Sequence, residues 1–162
     1  MAKSKKSEQA DVEPVIENRK SRFDYHIGET LECGMELRGT EVKSLRAGQA
    51  SLAEGWVRGD GDPPQLTLHQ VHIAEYPPAG PRLQHDPVRP RRLLAHTREI
   101  RRLLEETKAK GGTIVPLKLY WVRGRAKLLI GVGVGKVKAD KRQDIAKREH
   151  QREIDRAMRR KG

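Results

Sequence analysis

Asp24-Tyr25-His26-Ile27-Gly28-Glu29-Thr30-Leu31-Glu32-Cys33-Gly34-Met35-Glu36-Leu37 alternates with period two. Tyr25, Ile27, Glu29, Leu31, Cys33, Met35 and Leu37 fall on odd positions, apolar but for Glu29, while Asp24, His26, Gly28, Thr30, Glu32, Gly34 and Glu36 fall on even ones. Successive side chains of an extended chain point to opposite faces, so this run predicts a long strand with one face on a core and the other in solvent. Downstream, Thr40 is placed to cap a short helix carrying Val42 and Leu45 on one side, with Gly48 at its C-terminal end. Leu52–Arg58 and Leu66–Ile73 read as strands flanking the turn Gly59-Asp60-Gly61-Asp62-Pro63-Pro64. In the second, the apolar phase shifts from Leu66 and Leu68 to Val71 and Ile73, as a bulge would produce.

A loop containing several prolines, Tyr76–Pro90, leads to the clearest helical spacing, Leu93–Lys110, stopped by Gly111-Gly112. Two more strands follow. Val115, Leu117, Leu119 and Trp121 share one face of the first; after an Arg123-Gly124 turn, the second carries Ala126, Leu128, Ile130, Val132 and Val134. About six antiparallel strands with two helices make a mainly β fold with flanking helices, a small closed or partly open barrel.

The chain of 162 residues is short enough for one domain and carries a net charge of +12, which points to a polyanionic partner. Only 35% of residues are apolar, so the core is small. The excess is unevenly spread: +2 over residues 1–22, +4 over 23–135 and +6 over 136–162. Val137, Ile145, Ile154 and Met158 are the only sizeable apolar residues of the last segment, too few for it to fold alone. The expected organisation is a flexible N-terminal segment over 1–17, an RNA-binding barrel over 18–135 and a basic tail over 136–162. In a helical tail, Arg148, Arg152, Arg156 and Arg159 would form one basic stripe. Such a tail is expected to be disordered when free and ordered against an anionic surface.

Catalytic and metal-binding signatures are missing from the sequence. Gly131-Val132-Gly133-Val134-Gly135-Lys136 lacks the spacing of a phosphate-binding loop and reads as a barrel strand with glycines at a bend. His69 and His72 fall on opposite faces of a strand, and the other histidines are scattered and expected at the surface or against bases. No Gly-x-Ser-x-Gly elbow occurs, and a single cysteine, Cys33, can form neither an internal disulfide nor, by itself, a zinc site. No enzyme activity, cofactor or metal is therefore expected. Met1–Ala10 leads into Asp11-Val12-Glu13-Pro14 instead of an apolar run, no stretch is long and apolar enough to span a bilayer, and a cytoplasmic protein is expected.

The binding candidates are charged. Asn18-Arg19-Lys20-Ser21-Arg22, with Lys43, Arg46, Arg89, Arg91 and Arg92, would form a footprint for a phosphate backbone if gathered on one side of a barrel. On its strand's polar face, Glu32 reads either as a solvated carboxylate or as an acceptor for base amino groups and ribose 2′-OH. Charge and fold class alone also admit a general single-strand RNA-binding or ribosomal protein; scattered histidines and carboxylates are all that suggest an RNA-modifying enzyme.

Glu17-Asn18-Arg19-Lys20-Ser21-Arg22, Asp24-Tyr25, Gly39-Thr40-Glu41-Val42-Lys43-Ser44-Leu45-Arg46-Ala47-Gly48, His85-Asp86-Pro87 with Arg89, Arg92-Leu93-Leu94, and Asp140-Lys141-Arg142 together resemble the SsrA-binding protein (SmpB) family. The resemblance runs in order from about Asn18 to Met158. It implies an oligonucleotide-binding-like barrel that acts as a non-enzymatic, bacterial partner of tmRNA in trans-translation. Such a protein binds the tRNA-like domain, arrives at the stalled ribosome with elongation factor Tu and GTP through aminoacylated tmRNA, and places its tail near the decoding centre in the empty mRNA channel. A monomer is expected.

The resemblance ties Asn18, Glu32 and Leu94 to tmRNA binding, and so favours the contacting role for Glu32. Arg19, Lys20, Arg22, Lys43, Arg46, Arg89 and Arg92 join them on charge. Lys136, Lys138, Asp140, Lys141, Arg142, Lys147, Arg148, Arg152 and Arg156 are the expected ribosome-facing tail residues. This chain departs from its relatives at Ala139, where many carry histidine or an aromatic residue, and at Val134 and Val137, often lysine in the family.

Overall fold

The alternating run forms an 11-residue strand, β2 (Tyr25–Met35), in the computed structural model, which describes residues 13–160. Around it, among the described residues, lie β1 (Ile16–Glu17), α1 (Arg19–Asp24), α2 (Gly39–Arg46), β3 (Ala50–Ser51), β4 (Trp56–Asp60), β5 (Gln65–His69), β6 (His72–Ile73), β7 (Arg91–Leu94), α3 (Thr97–Lys110), β8 (Thr113–Val122), β9 (Arg125–Gly135) and α4 (Lys138–Arg160). Strands β8-β4-β5-β7-β2-β9 pair antiparallel in that order, and β9 pairs back to β8 to close a six-stranded ring. The expectation of a mainly β barrel with flanking helices holds. Closure leaves no free edge in the ring and gives outward side chains a rigid base.

Inward-facing residues of the ring supply a fully buried aliphatic core, including Cys33, Leu66, Leu68, Leu128 and Ile130. Each such side chain contributes about 1.5–3 kcal/mol by leaving water. α3 packs over β2, β9 and β5 through buried Ile100 and Leu103, and it ends at Gly111 in the left-handed conformation that its φ of 60° requires.

Several boundaries differ from the sequence reading. Leu93 and Leu94 belong to β7, so the helix starts only at Thr97; with Arg91 and Leu93 buried and Arg92 and Leu94 exposed, the segment alternates as a strand, and pairing with β2 and β5 overrides the helical spacing. Leu52–Arg58 is not one strand: β3 ends before it at Ser51, residues 52–55 turn, and β4 begins only at Trp56. A side chain at Gly55 would stand 2.6 Å from Val71 Cγ2, so only glycine lets the chain turn that closely. The phase shift after Leu68 is a change of sheet: Gln70 adopts a φ of 57°, and β6 leaves the barrel to pair with β3.

In β8 the register shifts between Pro116 and Lys118, so Ile114 and Leu119 join the main core while Val115 and Leu117 are buried outside it. The glycines of β9 allow close packing, opposite a register shift in β2 between Ile27 and Thr30: a Cβ at Gly131 would meet Leu117 and Ile27 at about 3 Å, and one at Gly133 would meet the Tyr25 ring at 3.0 Å. The sheet begins at Ile16, two residues before the expected domain boundary, through pairing of β1 with β8. Flexibility of residues 1–12 lies outside the described residues.

Candidate nucleic-acid interface

Charge spacing alone cannot tell a basic residue that faces solvent from one that holds the fold together; the structure divides the two groups. The N-terminus of α2 and the loop before β7 are joined by a buried network centred on Glu41, which is 0% exposed. Its carboxylate accepts from Arg89 Nε (2.9 Å) and Nη2 (2.7 Å), from Arg91 Nε (2.8 Å) and from the Arg38 backbone N–H (2.8 Å). Burial raises the carboxyl pKa, but the Arg89, Arg38 and Arg91 donors outweigh it and hold it below the usual range. Arg91, also 0% exposed, donates further to the carbonyls of Val71 (2.7 Å) and Pro87 (3.0 Å). Arg91 is thus no part of a phosphate footprint. Arg89 is only partly exposed and has most of its donors engaged.

The same network corrects two further expectations. Arg38, not Thr40, occupies the N-cap position of α2. The Thr40 hydroxyl instead donates to His85 Nδ1 (2.8 Å), while His85 Nε2–H donates to the Ile73 carbonyl (3.0 Å), a tautomer fixed because a carbonyl can only accept. His85 is therefore a buried tether and not a surface histidine.

Asn18, 2% exposed, is equally committed to the fold. Its amide donates to Ser21 Oγ (2.7 Å) and to the carbonyls of Leu52 (3.0 Å) and Pro116 (2.8 Å), and its side-chain oxygen accepts from the Ser21 N–H, capping α1. This fixes α1, on which Arg19, Lys20 and Arg22 are exposed.

Glu32 and Leu94 do come together. Both face outward from adjacent strands, and Gly34, two residues along from Glu32 on the same face, pairs with Leu94. Leu94 is 48% exposed, unusual for so apolar a residue in a closed barrel. The Tyr120 hydroxyl donates to Glu32 Oε2; burial first, then this bond to the carboxylate, pushes the phenol pKa up to about 12, so it stays a donor at neutral pH. Glu32 is thereby oriented, with Oε1 unpartnered among the described residues. Beside it, Gly34, Met35, Leu37, Val42, Leu94, Trp121 and Gly124–Lys127 line a cleft of about 490 Å³. Arg46 lies 4.9 Å above the Trp121 ring. Exposed Arg92 faces outward on β7, two residues from Leu94, and exposed Lys43 lies 5.1 Å above Tyr76. Tyr120, Trp121 and Lys127 escaped the sequence reading. Alternation along β8 and β9 already set Tyr120 and Lys127 on the polar face, but only cross-strand register brings them to Glu32.

The tail is one 23-residue helix, about 34 Å long at 1.5 Å per residue, with no buried residue. Its root is tied to α1 and the start of β2: Lys136 donates to Asp144 and to the Arg22 carbonyl (3.1 Å), Lys141 pairs with Asp24 (3.2 Å) and Asp140 with His26 (3.1 Å). Lys141 and Arg148 stand 5.8 and 5.3 Å over the Phe23 ring. Lys138, Arg142, Lys147, Arg152, Arg156 and Arg159 are exposed. Among the described residues no group of three or more His, Cys, Asp or Glu is arranged to hold a metal ion, and no helix is long and apolar enough to cross a membrane.

Comparison with known proteins points to one family. The model of the family described as SmpB protein matches residues 15–160. The SsrA-binding protein of Anoxybacillus flavithermus is 49% identical over 145 residues, covering 90% of this chain and 92% of that protein. The SsrA-binding protein of Thermobifida fusca is 48% identical over 162 residues, covering 99% of each. A solved structure described as "tmRNA-SmpB: a journey to the center of the bacterial ribosome" superposes with a TM-score of 0.64 at 44% identity, covering 82% of this chain and 94% of that one. Matched over nearly its whole described length, this chain belongs to the SmpB family of SsrA-binding proteins.

Proposed function

We propose that this chain is an RNA-binding adaptor, not an enzyme, that binds the tRNA-like domain of tmRNA and delivers it to stalled ribosomes for trans-translation. The observation that carries the reading is the cleft lined by Leu94 with the outward carboxylate of Glu32 beside it, in a chain that belongs to the SmpB family. Arg19, Lys20, Arg22, Lys43, Arg46 and Arg92 supply the sequence-independent attraction to phosphate. Glu32, aimed by Tyr120, supplies selectivity, because a carboxylate repels phosphate but accepts from base amino groups and ribose 2′-OH. Leu94 adds an apolar contact for a ribose or base face. Asn18 and Arg89 act as positioning residues for α1 and the rim of the barrel.

The tail would serve the ribosome. Its exposed basic stripe gains partners where rRNA phosphates line an empty mRNA channel, and it has no room where mRNA already lies. With Ala139 before Asp140-Lys141-Arg142, charge takes over the role that a stacking side chain plays in many relatives. Elongation factor Tu with GTP would reach the chain only through aminoacylated tmRNA, and the chain would act as a cytoplasmic monomer.

The test is competition of tmRNA against bulk tRNA at physiological salt, where mere net charge is screened. Glu32→Ala should weaken tmRNA binding and leave the fold intact. Cutting after Gly135 should preserve tmRNA affinity and abolish peptide tagging. Equal affinity for tmRNA and bulk tRNA would refute selective binding, and loss of tmRNA affinity on truncation would refute the division of labour.

A further inference from the structure

A second cleft, of about 350 Å³, opens between α1 and β4, lined by Lys20, Ser21, Asp24, Tyr25, Trp56 and Glu54 among others. It holds two of the chain's six aromatic residues. Trp56 is 41% exposed and stacks on His69, its cross-strand partner, with centroids 4.4 Å apart and planes at 15°. Both rings stand on rigid supports. The Tyr25 ring lies against Gly133, where a Cβ would come within 3.0 Å of it, and the backbone ahead of Trp56 is fixed at Gly55 between Val71 and Pro116.

The polar groups of this cleft narrow the occupant. Lys20 is the only cation among the lining residues, and it is paired with Glu54 at 2.8 Å. Asp24 adds a second carboxylate, itself paired through Oδ1 with Lys141 of the tail helix at 3.2 Å. Each lysine at the cleft is already paired with a carboxylate, which weakens its pull on a phosphate, whereas the second oxygen of each carboxylate suits exocyclic amino groups, which donate in the ring plane while the π faces stack on aromatic side chains.

We propose that this cleft takes an unpaired, amino-bearing nucleobase, with Trp56 as its stacking wall and Glu54 and Asp24 as hydrogen-bond acceptors. The base belongs to an exposed loop of the bound RNA, so the inference rests on the RNA-binding reading but uses a site other than the Glu32 cleft. Paired bases of an A-form helix cannot enter, because their amino groups are engaged and their faces stacked. The cleft therefore adds recognition of unpaired bases to the phosphate attraction of the exposed lysines and arginines.

The test uses the full chain, with Trp56→Leu as the blank whose signal is subtracted to isolate the fluorescence of Trp56. At physiological salt it is titrated with a cytosine oligoribonucleotide, a uracil oligoribonucleotide of the same length, and a blunt RNA duplex of the same phosphate count. Trp56 fluorescence should be quenched by the cytosine strand, less by the uracil strand, and not by the duplex. Trp56→Leu should weaken cytosine-strand binding by about 5- to 150-fold, the equivalent of one base stack, without changing duplex binding. Trp56→Phe should restore part of the loss, and Glu54→Gln should narrow the preference for cytosine over uracil. Equal quenching by duplex and single strand, or unchanged affinity on Trp56→Leu, overturns the proposal. Glu32→Ala, measured in parallel against tmRNA, separates the two sites: a loss there with none from Trp56→Leu removes this cleft and leaves the adaptor reading standing, whereas the reverse removes the Glu32 site.

Discussion

Replacing Glu41 with glutamine should be among the most destabilising single substitutions in this chain, although its volume hardly changes. The carboxylate accepts four hydrogen bonds from Arg38, Arg89 and Arg91, and the Arg91 side chain is 0% exposed. Glutamine keeps one acceptor oxygen, turns an N–H₂ toward guanidinium donors and leaves the buried Arg91 charge uncompensated. Removing one partner of a buried pair costs about 3–5 kcal/mol, a large part of a typical total of about 5–15 kcal/mol. With a urea slope near 2 kcal/mol/M, the unfolding midpoint should fall by about 2 M at unchanged slope. Glu41→Gln with Arg91→Met should cost less than the two single changes added together, because the second change removes the stranded charge. A midpoint shift below about 0.5 M would place the pair among ordinary surface ion pairs and refute the reasoning.

The same carboxylate sets an acid limit. Its folded pKa is depressed, so its contribution is complete above the unfolded carboxylate value of about 4.3 and is lost as pH falls through the folded value; urea midpoints should drop below about pH 4, and more shallowly in Glu41→Gln. Asn18→Ala removes the side-chain donor to the carbonyls of Leu52, which keeps the Gly55 N–H, and of Pro116, and uncaps α1; it should cost about 1–3 kcal/mol in thermal or urea unfolding, with tmRNA affinity falling through displacement of α1. Gly112→Ala places a Cβ 2.7 Å from the Gly133 carbonyl oxygen, which is backbone and cannot yield, so a loss of about 1–3 kcal/mol is expected where an exposed alanine would cost nothing. Cys33 is fully buried, and burial pushes its thiol pKa up to about 12; a thiol reagent at neutral pH should label it at the rate of unfolding, and fast labelling of the native protein would contradict the packing.

Much of the barrel was legible because alternation is a local property. The run from Tyr25 to Met35, the hairpin turn at Arg123-Gly124 and the two strands it joins follow from period and turn chemistry alone. Leu93-Leu94 misled because a short apolar pair satisfies both periods, and the choice belonged to strands β2 and β5, far away in sequence. α1 went unread because six residues cannot hold a helix by propensity; Asn18 holds it, through bonds to Leu52 and Pro116.

The interface divides the same way. Charge distribution and ordered motifs were sufficient to indicate RNA, a barrel and a basic tail, since net charge and apolar content are sums that do not depend on folding. Which arginines remain free was decided by tertiary structure alone. Arg91 and Arg92 are neighbours in sequence, but the strand sends one into the Glu41 network and the other to solvent. Likewise, Glu32 acquires its orientation only when β8 and β9 close the ring and bring Tyr120 across to it. Sequence determined the kinds of group available; long-range register, acting through burial and pairing, determined which of them face solvent.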